Sequence, residues 1–190
     1  MGFLDVLTGR RKLPGPAPDR LFAITTANVA FETSLDLHSR GAAAIVFQAL
    51  SNADFQSIVK EAEELVRATA KDSGTQVQTE DDEFGFRWLI LRGGDFDDLV
   101  VCLNAVSGAL ESGGYGDRLL CAVFPFVDPR NRQIYWIYNF KRGFFYPFVP
   151  APGQQQRDNE RELVLKAQAQ SELPIEPELS RWFPLWGIPI

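Results

Sequence analysis

Histidine, cysteine and clustered carboxylates are the side chains from which a chemical site is usually built, and this chain spaces few of them usefully. His38 is the one histidine in 190 residues. A nucleophilic pair would have to join it to Ser39, its neighbour in LHSRG. Adjacent residues at a strand end seldom make such a pair, so the segment reads as a solvated loop. Cys102 and Cys121 fall in the apolar runs LVVCLNAV and LLCAVFPF, where each serves as a small buried hydrophobe. A structural metal site would want more Cys or His at short spacing, so no metal and no cofactor are expected. A disulfide framework is out of place in a core this large.

The acidic run Glu80, Asp81, Asp82, Glu83 offers oxygen ligands to a hard cation but lacks the glycine and spaced ligands of a calcium loop. It reads as a polar hairpin turn. Gly113-Gly114-Tyr115-Gly116 follows a helical pattern, whereas phosphate loops lead from a strand into a helix N-terminus, so it reads as a helix stop. No catalytic residue is assigned. Were the chain an enzyme, its acid/base groups would come from Arg157, Asp158 and the acidic loops, and the competing expectation is a non-enzymatic binding or adaptor protein.

Aromatic residues are the stronger signal. KRGFFYPFVPAPG (141–153) and LPIEPELSRWFPLWGIPI (173–190) combine many rings with prolines that resist regular central structure. So many aromatics must either wrap the sheet and complete the core, or form an aromatic and arginine-containing surface of the kind enriched at interaction hot spots. The candidate partner-binding residues are Arg142, Phe145, Tyr146, Phe148, Arg181, Trp182 and Trp186. At the other end, MGFLDVLTGRRK places Phe3, Leu4 and Leu7 on one side of a short amphipathic head that ends in Arg10, Arg11 and Lys12. These residues are candidates for weak contact with an anionic membrane surface or a partner groove.

LPGPAPD (13–19) reads as a linker, which makes residues 1–19 a head and linker and residues 20–190 a single α+β domain with an aromatic C-terminal wrap. Within the domain, VAFETSL (29–35) and AAIVFQAL (43–50) read as a hairpin with Gly41 in its loop. Asn52 then caps a helix whose buried side carries Phe55, Ile58, Val59, Ala62, Leu65 and Val66, closed by Gly74. TQVQT (75–79) and FGFRWLILR (84–92) form a second hairpin, with Phe84, Phe86, Trp88 and Ile90 on one face. Asp95, Asp97 and Asp98 open a second helix carrying Leu99, Leu103, Val106 and Leu110. A third hairpin pairs 119–127 with 132–140 through Asp-Pro-Arg-Asn. A weaker helix over 158–170 turns Leu163 and Ala167 inward. The expected fold is an antiparallel sheet built from successive hairpins, with two or three helices mainly on one face and a repeated β-β-α order.

A net charge of −6 opposes attraction to phosphate backbones, so nucleic acid is not expected as a partner. Asp5 interrupts any signal-peptide apolar run, and no stretch approaches the length of a membrane span. The expected location is the cytoplasm, with peripheral contact at the inner face of the membrane.

The opening MGFLDVLTG, the central FRWLILR, the run YNFKRGFFYPFVPAPG followed by QRDN, and the ending LPIEPELSRWFPLWG together resemble the PspA-associated protein PspAB family over nearly the whole chain. The resemblance implies association with phage-shock protein A, a peripheral membrane-stress protein, or with a membrane-stress protease, and a role in a phage-shock or stress response. It carries over no catalytic residue. Arg142, Phe145, Tyr146, Pro147, Arg157, Asp158, Asn159, Arg181, Trp182 and Trp186 are the positions it marks as shared surface or core. The alternation of strand pairs and helices is also similar, at fold level only, to small chaperone-like domains that bind protein segments.

Overall fold

The apolar runs pair into one antiparallel sheet. In the computed structural model, which describes residues 18–190, the strands are β1 (His38–Ser39), β2 (Ala42–Gln48), β3 (Gln76–Asp81), β4 (Phe86–Arg92), β5 (Leu119–Val127), β6 (Gln133–Asn139) and β7 (Phe144–Phe148). Their spatial order is β3-β4-β2-β5-β6-β7, with β1 joined to β5. The helices are α1 (Pro18–Leu21), α2 (Ala23–Ala30), α3 (Ala53–Ser73), α4 (Phe96–Ser112) and α5 (Asn159–Ala169). The class is α+β, and the β-β-α order recurs with β7 added to its last copy. The head, with Phe3, Leu4 and Leu7, lies outside the described residues.

Alternation along each strand splits the core into two layers. Ala43, Ile45, Phe47, Leu89, Leu91, Phe124, Phe126 and Trp136 face the helices. Ala44, Val46, Trp88, Ile90, Val123, Tyr135, Ile137, Tyr146 and Phe148 face the opposite way, under Trp182, Leu185, Ile188 and Ile190 of the C-terminal tail. The helices therefore cover one side of the sheet and the tail covers much of the other.

The two long helices begin and end where their sequences require. Asn52 Oδ1 accepts the Phe55 N–H at 2.7 Å, and Gly74 closes α3 in the left-handed region at φ 72°, which a residue without Cβ adopts without penalty. Phe55, Val59, Ala62 and Val66 are buried, while Ile58 is half-buried and Leu65 exposed. In α4, Asp97 and Asp98 occupy the first turn, and Leu99, Leu103, Val106 and Leu110 form the buried stripe. Cys102 belongs to the helix-side core and Cys121 to the tail-side core.

Four expectations about elements are corrected. Residues 29–35 are not a strand. Val29 and Ala30 finish α2, and Phe31–Leu35 form one π-helical turn. The alternation there also satisfies a helical stripe of Ile24, Ala27 and Phe31, and tertiary packing chooses the helix because Phe31 stacks on Trp136 with centroids 5.1 Å apart. Consequently 29–35 and 43–50 form no hairpin: β2 pairs with β4 and β5, and β1, on the other side of Gly41, also pairs with β5. Phe84 leaves the strand and sits in the β3–β4 turn. Residues 144–148 are a strand after all, because β7 lies at the edge of the sheet's main order, a position where Pro147 can be accommodated. Finally, α5 turns Glu162, Leu165 and Ala169 inward, leaving Leu163 and Ala167 exposed.

Candidate protein-binding cleft

The tail after α5 is held by backbone and charge contacts rather than by regular structure. Glu176 is its first anchor: its N–H donates to Phe145 O at 2.8 Å, and its carboxylate accepts Arg142 Nε at 2.7 Å and Nη2 at 3.0 Å. The Glu178 N–H adds a third bond to the same carboxylate. Trp182 is the second anchor. Its Nε1–H donates to Glu176 O at 3.0 Å, and its ring stacks on Tyr146 at 6.2 Å. Its carbonyl accepts Arg157 Nη1 at 2.7 Å, while Tyr146 Oη donates to Phe183 O at 3.0 Å. Further on, Trp186 meets Phe148 edge-on at 5.1 Å, and Arg92 donates to Pro189 O at 2.7 Å.

These contacts divide the seven candidate residues. Phe145, Tyr146, Phe148 and Trp182 are buried within the chain. Arg142 is committed to Glu176, with Glu178 3.6 Å away. Arg181 is half-exposed and pairs with Glu178. Trp186 alone of the aromatic candidates remains open, at 36% exposure. Arg157 and Asp158 also have structural work: Arg157 pairs with Glu162 at 2.7 Å, and Asp158 Oδ1 accepts the Arg161 N–H as the cap of α5.

The carboxyls of the two Arg–Glu pairs shift in opposite directions. Burial pushes the Glu162 carboxyl up, against the bonds from Arg157 and the Val149 N–H. Burial would also raise Glu176, but the bonds from Arg142 and Glu178 N–H, with the charges of Arg142 and Arg181, hold it below its usual value near 4.5. A carboxylate lowered in the folded state contributes stability above its unfolded value and loses it as pH falls through the folded one. The stability gap between the native chain and Glu176→Gln is therefore expected to be widest near about pH 7 and to close on acidification below about pH 4. Urea titrations across that range measure it, and a gap independent of pH contradicts it.

Trp186 borders a cleft whose other wall is the β3–β4 turn. That turn is shaped by Asp82, whose Oδ1 accepts the N–H groups of Phe84 and Phe86 at 2.9 Å each and whose Oδ2 accepts Trp88 Nε1 at 3.1 Å. Gly85 supplies the left-handed residue, φ 82°. Phe84 is thereby held outward, 76% exposed. The cleft has two lobes that share Phe84, Trp88 and Trp186. One, about 400 Å³, has an apolar floor that includes Val46, Phe86, Leu120 and Leu185. The other, about 310 Å³, is rimmed by Glu80, Asp81, Asp82 and Glu83. Phe183, 59% exposed, lies three residues before Trp186 on the tail.

Sequence reasoning placed Phe84 on a strand face rather than at a site, and did not bring the acidic run and the tail to one cleft. The FGFRWLILR alternation extends through Phe84, and nothing local says that the strand starts two residues later. As for chemical groups, burial pushes the Cys121 thiol up to about 12 and raises Cys102 as well, the opposite of an activated nucleophile. His38 Nε2 lies 2.8 Å from Asp36, and Ser39 Oγ accepts the Gly41 N–H. No helix among the described residues is long and apolar enough to cross a membrane.

The model of one protein family, described as PspAB, PspA associated protein B, matches residues 1–190, the whole chain. No curated protein and no solved structure matches it.

Proposed function

We propose, for a chain that belongs to the PspA-associated protein B family over its full length, a non-enzymatic role as an adaptor that docks a segment of PspA in the cleft between the β3–β4 turn and the tail. The carrying observation is the group of aromatic rings left open there. Phe84 and Trp186 border a preformed concavity, and Phe183 adds a third exposed ring on the same tail. Exposed aromatics around an apolar floor with a charged rim have the composition of an interaction hot spot. The buried candidates Phe145, Tyr146, Phe148 and Trp182 then act indirectly, by fixing the tail that presents Trp186. Arg181, paired with Glu178, lies on the same tail. The role belongs to a membrane-stress or phage-shock response in the cytoplasm, at the inner face of the membrane.

The test is direct binding between purified PspA from the same organism and the native chain. Phe84→Ala and Trp186→Ala are each expected to weaken the complex by about tenfold or more, since truncating a central aromatic anchor typically costs more than 1 kcal/mol. His38 pairs with Val127, at the other end of β5 from the cleft residue Leu120, so His38→Ala should leave affinity unchanged. Absence of binding, or equal affinity for all variants, refutes the reading.

A further inference from the structure

We propose that the outer side of β3 is a self-association edge, to which a second copy of this chain adds its own β3 antiparallel, with Thr79 facing Thr79 across a two-fold axis. The first observation is that the two edges of the sheet are treated differently. At β7 the tail fills the outer side: Ile175 bridges to Phe145, whose N–H donates to Pro174 O and whose C=O accepts the Glu176 N–H, each at 2.8 Å. Beyond β3 no described strand follows. The usual guards of a free edge are missing from it, since QVQTED holds no proline and no lysine and its register against β4 runs without a bulge.

Alternation fixes which groups face outward. The Asp82 N–H donates to Phe86 O, so Gln76, Gln78 and Glu80 turn toward β4 in the same way, and the N–H and C=O of Val77, Thr79 and Asp81 point away from it. Arg67 Nη1 reaches Val77 O at 2.9 Å, as an outward carbonyl allows. The other outward groups have no partner among the described residues.

The second observation is that this edge is complementary to itself. With Thr79 on the axis, Val77 of each copy meets Asp81 of the other, so every outward N–H and C=O finds a mate. Thr79 Oγ1 is buried and has no hydrogen-bond partner among the described residues, and the Thr79 opposite brings it a hydroxyl. On the other face Gln78 lies opposite Glu80 of the second copy, an amide donor against a carboxylate acceptor. Charge selects the antiparallel direction. Parallel strands would set the acidic runs 80–83 side by side, whereas antiparallel strands carry each run toward the start of the other β3, where Arg67 and Lys71 of α3 are exposed. Asp81 is paired with Arg87 at 2.7 Å, while Glu80 and Glu83 have no cationic partner among the described residues. The axis is normal to the sheet, so both tail faces, and with them both clefts, open in the same direction.

One strand pair is a small interface beside those of obligate dimers, so the association is reversible, with a dissociation constant on the order of 10 μM. Sedimentation equilibrium of the full-length chain from about 1 to about 500 μM measures it. Thr79→Pro removes an outward N–H that the ladder with β4 does not use, and is expected to weaken the dimer roughly tenfold or more while the melting midpoint of the dilute chain stays nearly unchanged. Gln78→Glu sets a carboxylate against Glu80 of the second copy and should also weaken the dimer, whereas Gln78→Lys should tighten it. Both Gln78 changes are at an exposed side chain, so they test the edge without disturbing the core. Amide exchange at Thr79 and Asp81 should slow roughly fivefold from the dilute to the concentrated sample, and Phe84→Ala should change none of these results. A chain that is still monomeric at about 500 μM, or a dimer equally tight in Thr79→Pro and Gln78→Glu, overturns the proposal. Because PspA is absent, this result is independent of whether PspA binds.

Discussion

Replacing Trp136 by alanine is expected to lower the stability of the fold by about 3–5 kcal/mol, the usual cost of removing a large ring from a closed core. Trp136 lies on the inner strand β6, is fully buried, and stacks at 17° on Phe31, the residue that begins the π-helical turn after α2. Phe31 in turn meets Phe126 edge-on at 5.7 Å. Truncation therefore opens a cavity bounded by well-packed rings on both the sheet and the helix layer, with little freedom to collapse. In a chain of this size each kcal/mol moves the melting midpoint by about 2–4 °C, so a fall of roughly 10 °C should be visible in a thermal scan. Trp88→Ala is expected at the lower end of the same range, because the space that its ring leaves opens into the cleft. A near-native midpoint for Trp136→Ala would mean that the α2 layer does not pack on β6 as described.

Arg157→Ala should be nearly as costly, by about 3–5 kcal/mol, since it strands a buried carboxylate. Glu162 is almost completely buried on the inner side of α5, where its Oε1 accepts the Val149 N–H at 2.9 Å and both oxygens accept Arg157 Nε at 3.0 Å. Without the guanidinium only the backbone donor remains, and burial already pushes this carboxyl up. The same change removes the bond from Arg157 to the Trp182 carbonyl, so the tail loses an anchor together with the helix. The double variant Arg157→Leu/Glu162→Leu separates the two effects. It removes the charge as well as its partner, and is expected to recover more than half of the loss in chemical denaturation. If the double variant is as unstable as the single one, the anchoring of the tail rather than the stranded charge dominates.

The second experiment bears on a position that a search for chemistry assigns to catalysis. Arg157 and Asp158, the alternative acid/base groups, tie the start of α5 to β7 and the tail. Arg142 and Glu176 do the same at the other end of β7. The aromatic C-terminus thus serves largely as a second wall of the core, and the part of it left open is small: Trp186 and Phe183, with Phe84 of the β3–β4 turn exposed across the cleft from Trp186.

By itself the sequence determined those features whose cause is local. Asn52 and Gly74 bound α3 because a side-chain cap and a left-handed glycine act within a few residues of the helix ends. The 119–127 and 133–139 strands are legible because apolar runs flank an Asp-Pro-Arg-Asn turn, and the α+β class follows from how such elements alternate. Tertiary structure decided the rest. Residues 29–35 satisfy both a strand and a helical pattern, and Phe31 packing on Trp136 selects the helix. The edge position of β7 makes room for Pro147, which reads locally as a breaker. Glu162 turns inward only because Arg157 is there to meet it. The cleft depends most on long-range contacts: Phe84 and Trp186 are 102 positions apart, and only the pairing of β4 with β2 and the anchoring of the tail across that face bring them together.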